Sequence, residues 1–194
     1  MLKKIIASFI FFLCIVQYTQ AQNDSIGVYY ETNNSIEQIE PIRYFQTKSN
    51  TLGSALTMGI AGSKLKTVYK GSSSKNRVDN TPTFYFYYSR NIPIDKIEKY
   101  YMFYSSTTPN DILLAQFKSK KKTRELQVGK VNIYSGFTLG TADDLDILIN
   151  VDKVKDGVYK ITFDKPLDKG EYCFLFNGPN GSGAYMSVFD FSVE

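Results

Sequence analysis

Histidine is absent from this chain, tryptophan is absent, and cysteine occurs only at Cys14 and Cys173. Each absence excludes chemistry. Without histidine there is no Ser-His or Cys-His nucleophile pair. The usual imidazole sites for transition metals go with it. The sequence therefore names no catalytic residue, no metal ligand set and no cofactor site, and any enzyme built on it must use carboxylates, lysine or tyrosine. Long apolar runs are also missing. The longest, Ile5 to Val16, falls short of the roughly 20 residues that cross a bilayer as a helix. No long basic block exists, and nothing in the composition points to nucleic acid.

That apolar run follows Lys3 and Lys4 and precedes the polar stretch "YTQAQ". The order is that of a secretory signal peptide, expected over residues 1–21 with cleavage after Ala21. Leu13, ahead of Cys14, is not the small residue that lipidation of that cysteine requires. The expected destination is periplasmic or extracellular, with no transmembrane span in the mature chain. The formal net charge is +4, and removing Lys3 and Lys4 leaves +2 on the remainder. Cys173 is then alone, so no internal disulfide forms and stability must come from packing. A lone thiol among aromatics is ordinarily a small buried apolar group.

What is present is a succession of short strand patterns. "IGVYYET" and "SIEQIEPI" are split by Asn33 and Asn34, and "KLKTVYK" reads as a strand. "GSSSKNRVDNTP" is a polar connector with a short strand near "KNRV", and "TFYFYYS" reads as a central strand covered on both faces. Asp95 can cap a short helix running to Tyr101, or the segment can be a strand connection. "DILLAQFKS" and "TRELQVGKVNIYS" read as a hairpin with a lysine-rich tip. "LDILINVDKV", "GVYKITF", "GEYCFLF" and "AYMSVFDFSVE" supply further strands, with Tyr172, Phe174 and Phe176 facing inward. The one clear helical pattern is Leu52, Ala55, Leu56, Gly59 and Ile60, a small-residue face near residues 50–62. The expected fold class is mainly β: an immunoglobulin-like β-sandwich over residues 81–194, with a small N-terminal α+β lobe over residues 22–80 carrying that short helix.

"GIAGSKLK", Gly59 to Lys66, looks at first like a phosphate-binding loop. Ser63 separates Gly62 from Lys64, no hydroxyl follows the lysine, and the glycines close a helix instead of opening one. The Walker arrangement fails on each count, and a packing helix is the better reading.

"PLDKGEYCF" carries the most specific structural signal. Asp168, Gly170 and Tyr172 match the tyrosine corner of immunoglobulin-like sandwiches, in which the tyrosine hydroxyl bonds back to the chain. The position two beyond the tyrosine, where an antibody domain has its cysteine, is Phe174. The chain thus resembles the disulfide-free sandwiches. More broadly, "GVYY", "GSALTMGIAGSKLK", "PTFYFYY", "TRELQVGKVNIYSG" and "GVYKITFDKPLDKGEYCFLF" resemble an uncharacterised family of small exported proteins of the Bacteroidota type. "IPIDKIEKYYMFYSSTTP" departs from that pattern and reads as an insertion. The resemblance implies a signal peptide, an N-terminal lobe and a C-terminal sandwich, and it brings no activity.

Several groups remain as candidate interaction residues. Lys118, Lys120, Lys121, Lys122 and Arg124 cluster at the hairpin tip, where they can meet anionic lipid, lipopolysaccharide phosphate or an acidic partner, or simply be solvated. Asn177 and Asn180 lie in the loop "NGPNGSG", which is either an end loop where recognition often sits or equally a flexible hairpin connection. Asp143, Asp144 and Asp146 offer hard oxygens but not a calcium loop. Tyr100, Tyr101, Phe103 and Tyr104 can stack on sugars if exposed, or fill a core. Glu37, Glu40, Glu98, Glu125 and Glu171 show no spacing that pairs two carboxylates across a glycosidic bond, and Glu171 is expected to point outward. The expected function is non-catalytic binding of another envelope component, a protein in the first instance. Carbohydrate binding and membrane-surface binding are the alternatives.

Overall fold

A computed structural model of the protein describes residues 26–33, 35–49, 63–89, 92–106, 109–132, 136–139, 149–176 and 187–194. The expected leader, the helical pattern near residues 50–62, the acidic cluster at Asp143, Asp144 and Asp146, and the loop bearing Asn177 and Asn180 lie outside the described residues.

The chain is mainly β, a sandwich of sheets with little helix. The first sheet contains β1 (Gly27–Glu31), β2 (Ile36–Ile39), β6 (Phe84–Tyr87), β11 (Asn150–Lys155) and β12 (Val158–Thr162), in the order β11-β12-β6-β1-β2. The second contains β5 (Arg77–Val78), β7 (Ile112–Gln116), β13 (Gly170–Phe176) and β14 (Phe189–Val193), in the order β5-β14-β13-β7. The third contains β3 (Gln46–Ser49), β4 (Ser63–Lys70), β9 (Thr123–Asn132) and β10 (Gly136–Leu139), in the order β10-β9-β4-β3, with the short β8 (Lys118–Ser119) paired to β9. In every sheet, strands from before residue 80 pair with strands from after it.

The second sheet lies between the other two. Alternate residues of β13 show this directly. Tyr172, Phe174 and Phe176 enter one core with Val28, Phe84, Phe86 and Ile161 of the first sheet. Cys173 and Leu175 enter another with Tyr69, Leu126 and Val128 of the third. Both faces of β13 are therefore buried, and its unbroken run "YCFLF" is the sequence such a strand needs. The expectation of one inward face was half of the pattern.

The reverse holds for β6. It is central in its sheet, as expected, but only Phe84 and Phe86 are buried, while Tyr85 and Tyr87 are half-covered. Their rings lie on the outer face, where Tyr87 meets Tyr29 edge-on at 4.9 Å. Phe84 packs edge-on against Phe174 at 5.0 Å, and Phe86 does so at 4.9 Å. Such contacts add to the area buried by the rings themselves.

The expected hairpin from "DILLAQ" to "TRELQV" forms only at its tip. β7 pairs with β13 and belongs to the middle sheet. At Phe117 the chain crosses to the third sheet: its amide still donates to Glu171 O at 2.8 Å, and its buried ring meets Tyr69 at 5.1 Å. Only β8 then pairs with β9, closed by the Lys120 amide donating to Thr123 O at 2.8 Å. Burying Phe117 fixes the crossing point.

Helix α1 (Tyr101–Ser105) is a short cover on the first core. It follows a 3-10 turn at Ile94–Lys96, and no side chain caps either one. Met102 and Phe103 are buried, and Tyr100 is buried just before the helix, with only Tyr104 of the four aromatics exposed. The aromatic cluster is thus mostly core, because the helix turns those rings toward Phe86 and Phe189.

Candidate functional site: the basic face of the third sheet

Strand parity sorts the third sheet into two chemically opposite faces. In β9, Arg124, Leu126 and Val128 are buried, whereas Thr123, Glu125 and Gln127 are half-covered on the other side. In β4, register sets Lys66 opposite Gln127 and Lys48, Val68 opposite Glu125, and Lys70 opposite Thr123. Glu125 also faces Lys118 of β8. The outer face thus carries Lys48, Lys66, Lys70 and Lys118. Beyond an irregularity at Leu65/Lys66 it continues to Lys64, whose register partner is Lys130. Lys120, Lys121 and Lys122 extend it at the hairpin tip, which is tied to the end of β4 by the Gly71 amide on Lys122 O at 3.1 Å.

Against these lysines the described strands of this sheet set one acidic residue, Glu125. Its carboxylate is 3.1 Å from Lys66 Nζ and 3.7 Å from Lys48 Nζ. Burial pushes the Glu125 carboxyl up, but the Lys66 hydrogen bond and the charges of Lys66, Lys120 and Lys48 outweigh it, so the group is held below its ordinary range. Neighbouring strands lie about 4.8 Å apart and alternate residues about 7 Å apart. Both spacings are within the Debye length of about 8 Å at physiological salt, so the lysine charges act together. Phe45, half-exposed, precedes β3, and Lys70 Nζ lies 5.8 Å from the centre of its ring.

Arg124 is not part of that surface. Nearness in sequence groups it with the tip lysines, but its place in β9 turns it inward. Its Nη1 donates to Asp190 at 2.5 Å and to Glu171 at 3.3 Å, and the guanidinium stacks 5.0 Å from the Phe117 ring. Glu171 likewise points inward, since it shares parity with Cys173 and Leu175. It accepts from the Ser74 amide at 2.6 Å and the Ser192 hydroxyl at 2.7 Å. This closed ionic cluster joins the middle and third sheets beneath the basic face. Its three charged side chains are all buried and satisfy one another, so it is structural. Next to it, burial and then the charge of Asp190 push the Cys173 thiol well above its ordinary value, which keeps it a thiol.

The corner residues lie on the far side of β13. Tyr172 Oη donates to Asp168 O at 2.8 Å, and the ring stacks on Phe191 at 5.6 Å. At Gly170 an added Cβ would fall 2.5 Å from Gln116 Nε2, so the glutamine amide that lies over the tyrosine would have to move.

A concavity opens between the first sheet and α1. It is a cleft of about 980 Å³ walled by Tyr88, Phe103 and Tyr159, with the Lys153–Asp156 pair among its polar lining. Burial pushes the Tyr88 hydroxyl well above its ordinary value. Among the described residues no group of three or more acidic, cysteine or histidine side chains gathers to hold a metal. No helix among them is long and apolar enough to cross a membrane. Comparison with family models, with curated proteins and with solved structures gives no match.

Parity could have found most of the basic face. "SKLKTVYK" puts Lys64, Lys66 and Lys70 on one side of a strand. What the sequence did not show is that Lys48 and Lys118 flank that row, because their pairings are set by strands far apart in the chain.

Proposed function

We propose that this is an exported, non-catalytic β-sandwich protein that binds an anionic component of the cell envelope through the basic face of its third sheet. The observation carrying the proposal is the segregation of charge: lysines from β3, β4, β8 and the hairpin tip share one face with a single carboxylate, although the chain as a whole is only weakly basic. A like-charged face is self-repelling, which favours an oppositely charged occupant. The tip lysines singled out in the sequence form one end of this face. Export and the resemblance to small Bacteroidota-type proteins belong to the same proposal and give the face an envelope partner. Solvated lysines that only discourage edge-to-edge aggregation are the competing account.

The test is recovery of the protein with isolated envelope material, for the wild type and for a variant with Lys48, Lys66, Lys118 and Lys121 changed to glutamine. Retention by the wild type, lost in the variant and in high salt, supports the proposal. Equal retention of both proteins contradicts it.

Carbohydrate binding is the second reading. It no longer rests on Tyr100 and Tyr101, which pack against the first core, but on Tyr29, Tyr85 and Tyr87 on the outer face of the first sheet. Tyr29 is largely covered, which makes this face the weaker candidate.

A further inference from the structure

We infer that the anionic component is a phosphate-bearing lipid surface, which the third sheet meets flat with Phe45 entering the headgroup layer. The inference rests on the anionic-binding reading above and narrows its ligand. Three observations carry it.

The first is the identity of the cations. Every outward cation on the described face is lysine, while the arginine of the same segment, Arg124, is turned inward. Arginine's planar fork suits bidentate recognition of carboxylates and phosphates held at fixed geometry, whereas lysine is a flexible point charge. A face of lysines tolerates headgroups whose positions are not fixed. The second is the layout. The charges are spread over adjacent strands in two directions, with Lys66 between Lys48 on one side and Glu125 on the other, and Lys118 beyond. A planar array matches a plane of phosphates better than one extended polymer strand. The third is Phe45, 48% exposed beside this array with Lys70 over its ring. A soluble polyanion offers no apolar phase to such a ring. A lipid interface does, and there an aromatic and the stems of neighbouring lysines share the boundary.

The experiment uses protein recovered from the exported fraction of cells that express the full chain. Three probes are compared: vesicles of phosphatidylcholine alone, vesicles containing phosphatidylglycerol, and immobilised alginate as a soluble-type polycarboxylate. Co-sedimentation with the phosphatidylglycerol vesicles only is expected. Binding should weaken about fivefold for each of Lys66→Gln and Lys118→Gln. Phe45→Ser should weaken it several-fold while leaving its salt dependence unchanged. Lys153→Gln, on the first sheet, should leave it unchanged. Retention on alginate with no vesicle binding overturns the lipid inference and leaves the anionic-binding proposal standing. Binding to neither overturns both. Vesicle binding that ignores Phe45→Ser overturns the flat, Phe45-inserted docking.

Discussion

Replacing Arg124 by methionine tests how the middle and third sheets are held together. Methionine keeps much of the side-chain volume over Phe117 and removes only the charge. Arg124, Glu171 and Asp190 are 3%, 9% and 4% exposed at their side chains, so solvent offers little screening. Nη1 serves both carboxylates, and Nε makes no hydrogen bond. Losing the guanidinium therefore strands two buried acids and also ends its stacking on the Phe117 ring, a smaller loss that the methionine side chain partly replaces. Breaking a buried ion pair from one side costs about 3–5 kcal/mol. For a domain of this size each kcal/mol moves the melting temperature by about 2–4 °C, which gives a fall of about 6–20 °C. Urea denaturation at neutral pH, followed by tyrosine fluorescence, measures the loss. Adding Glu171→Gln and Asp190→Asn to Arg124→Met should recover at least about half of it, because the stranded charges are then gone. A loss below about 1 kcal/mol in the single variant would refute the reasoning, since it would mean that water reaches the cluster.

Other perturbations read other parts of the fold. The Tyr69 hydroxyl is buried beside the Thr67 hydroxyl, which is its one near side-chain partner, and the two do not meet in full hydrogen-bond geometry. Tyr69→Phe should raise stability by about 1 kcal/mol in the same assay, and a comparable loss would reveal a partner for the hydroxyl. Gly157 sits at φ +73° with an added Cβ only 2.8 Å from Tyr88 O, so Gly157→Ala should cost about 1–3 kcal/mol of unfolding free energy. Because the Glu125 carboxyl is held below its ordinary value of 4.5 in the folded chain, its contribution is present above that value and is lost as pH falls through the lower one. The urea midpoint of the wild type should exceed that of Glu125→Gln near neutral pH, and the gap should close on acidification below the ordinary value of 4.5. A gap that is constant with pH would contradict the Lys66–Glu125 account.

Much of the fold was legible because local chemistry determines it. The corner needs a tyrosine that reaches back to Asp168, and "DKGEY" states this within a few residues. Strands such as β1, β4, β6 and β12 follow from short runs of aromatic and β-branched residues. The placement of charge was harder. Arg124 and Glu171 are ordinarily surface residue types, and only the apolar residues at the same parity, Leu126 and Val128 or Cys173 and Leu175, mark them as inward. The burial of both faces of β13 depends on a third sheet whose strands come from distant parts of the chain, as does the crossing at Phe117. Long-range pairing also completes the basic face: the sequence displayed its tip at Lys120–Lys122 and the row Lys64, Lys66 and Lys70 along β4, but not that Lys48 of β3 and Lys118 of β8 flank that row.

The central claim is that this face is where the protein meets its anionic partner. The most direct measurement is the acetylation rate of each lysine, read by mass spectrometry, with and without isolated envelope material. The account predicts protection of Lys48, Lys64, Lys66, Lys70, Lys118 and the tip lysines, and unchanged rates at Lys153, Lys155 and Lys160 of the first sheet. Protection of the first-sheet lysines with the third-sheet lysines unaffected would contradict it.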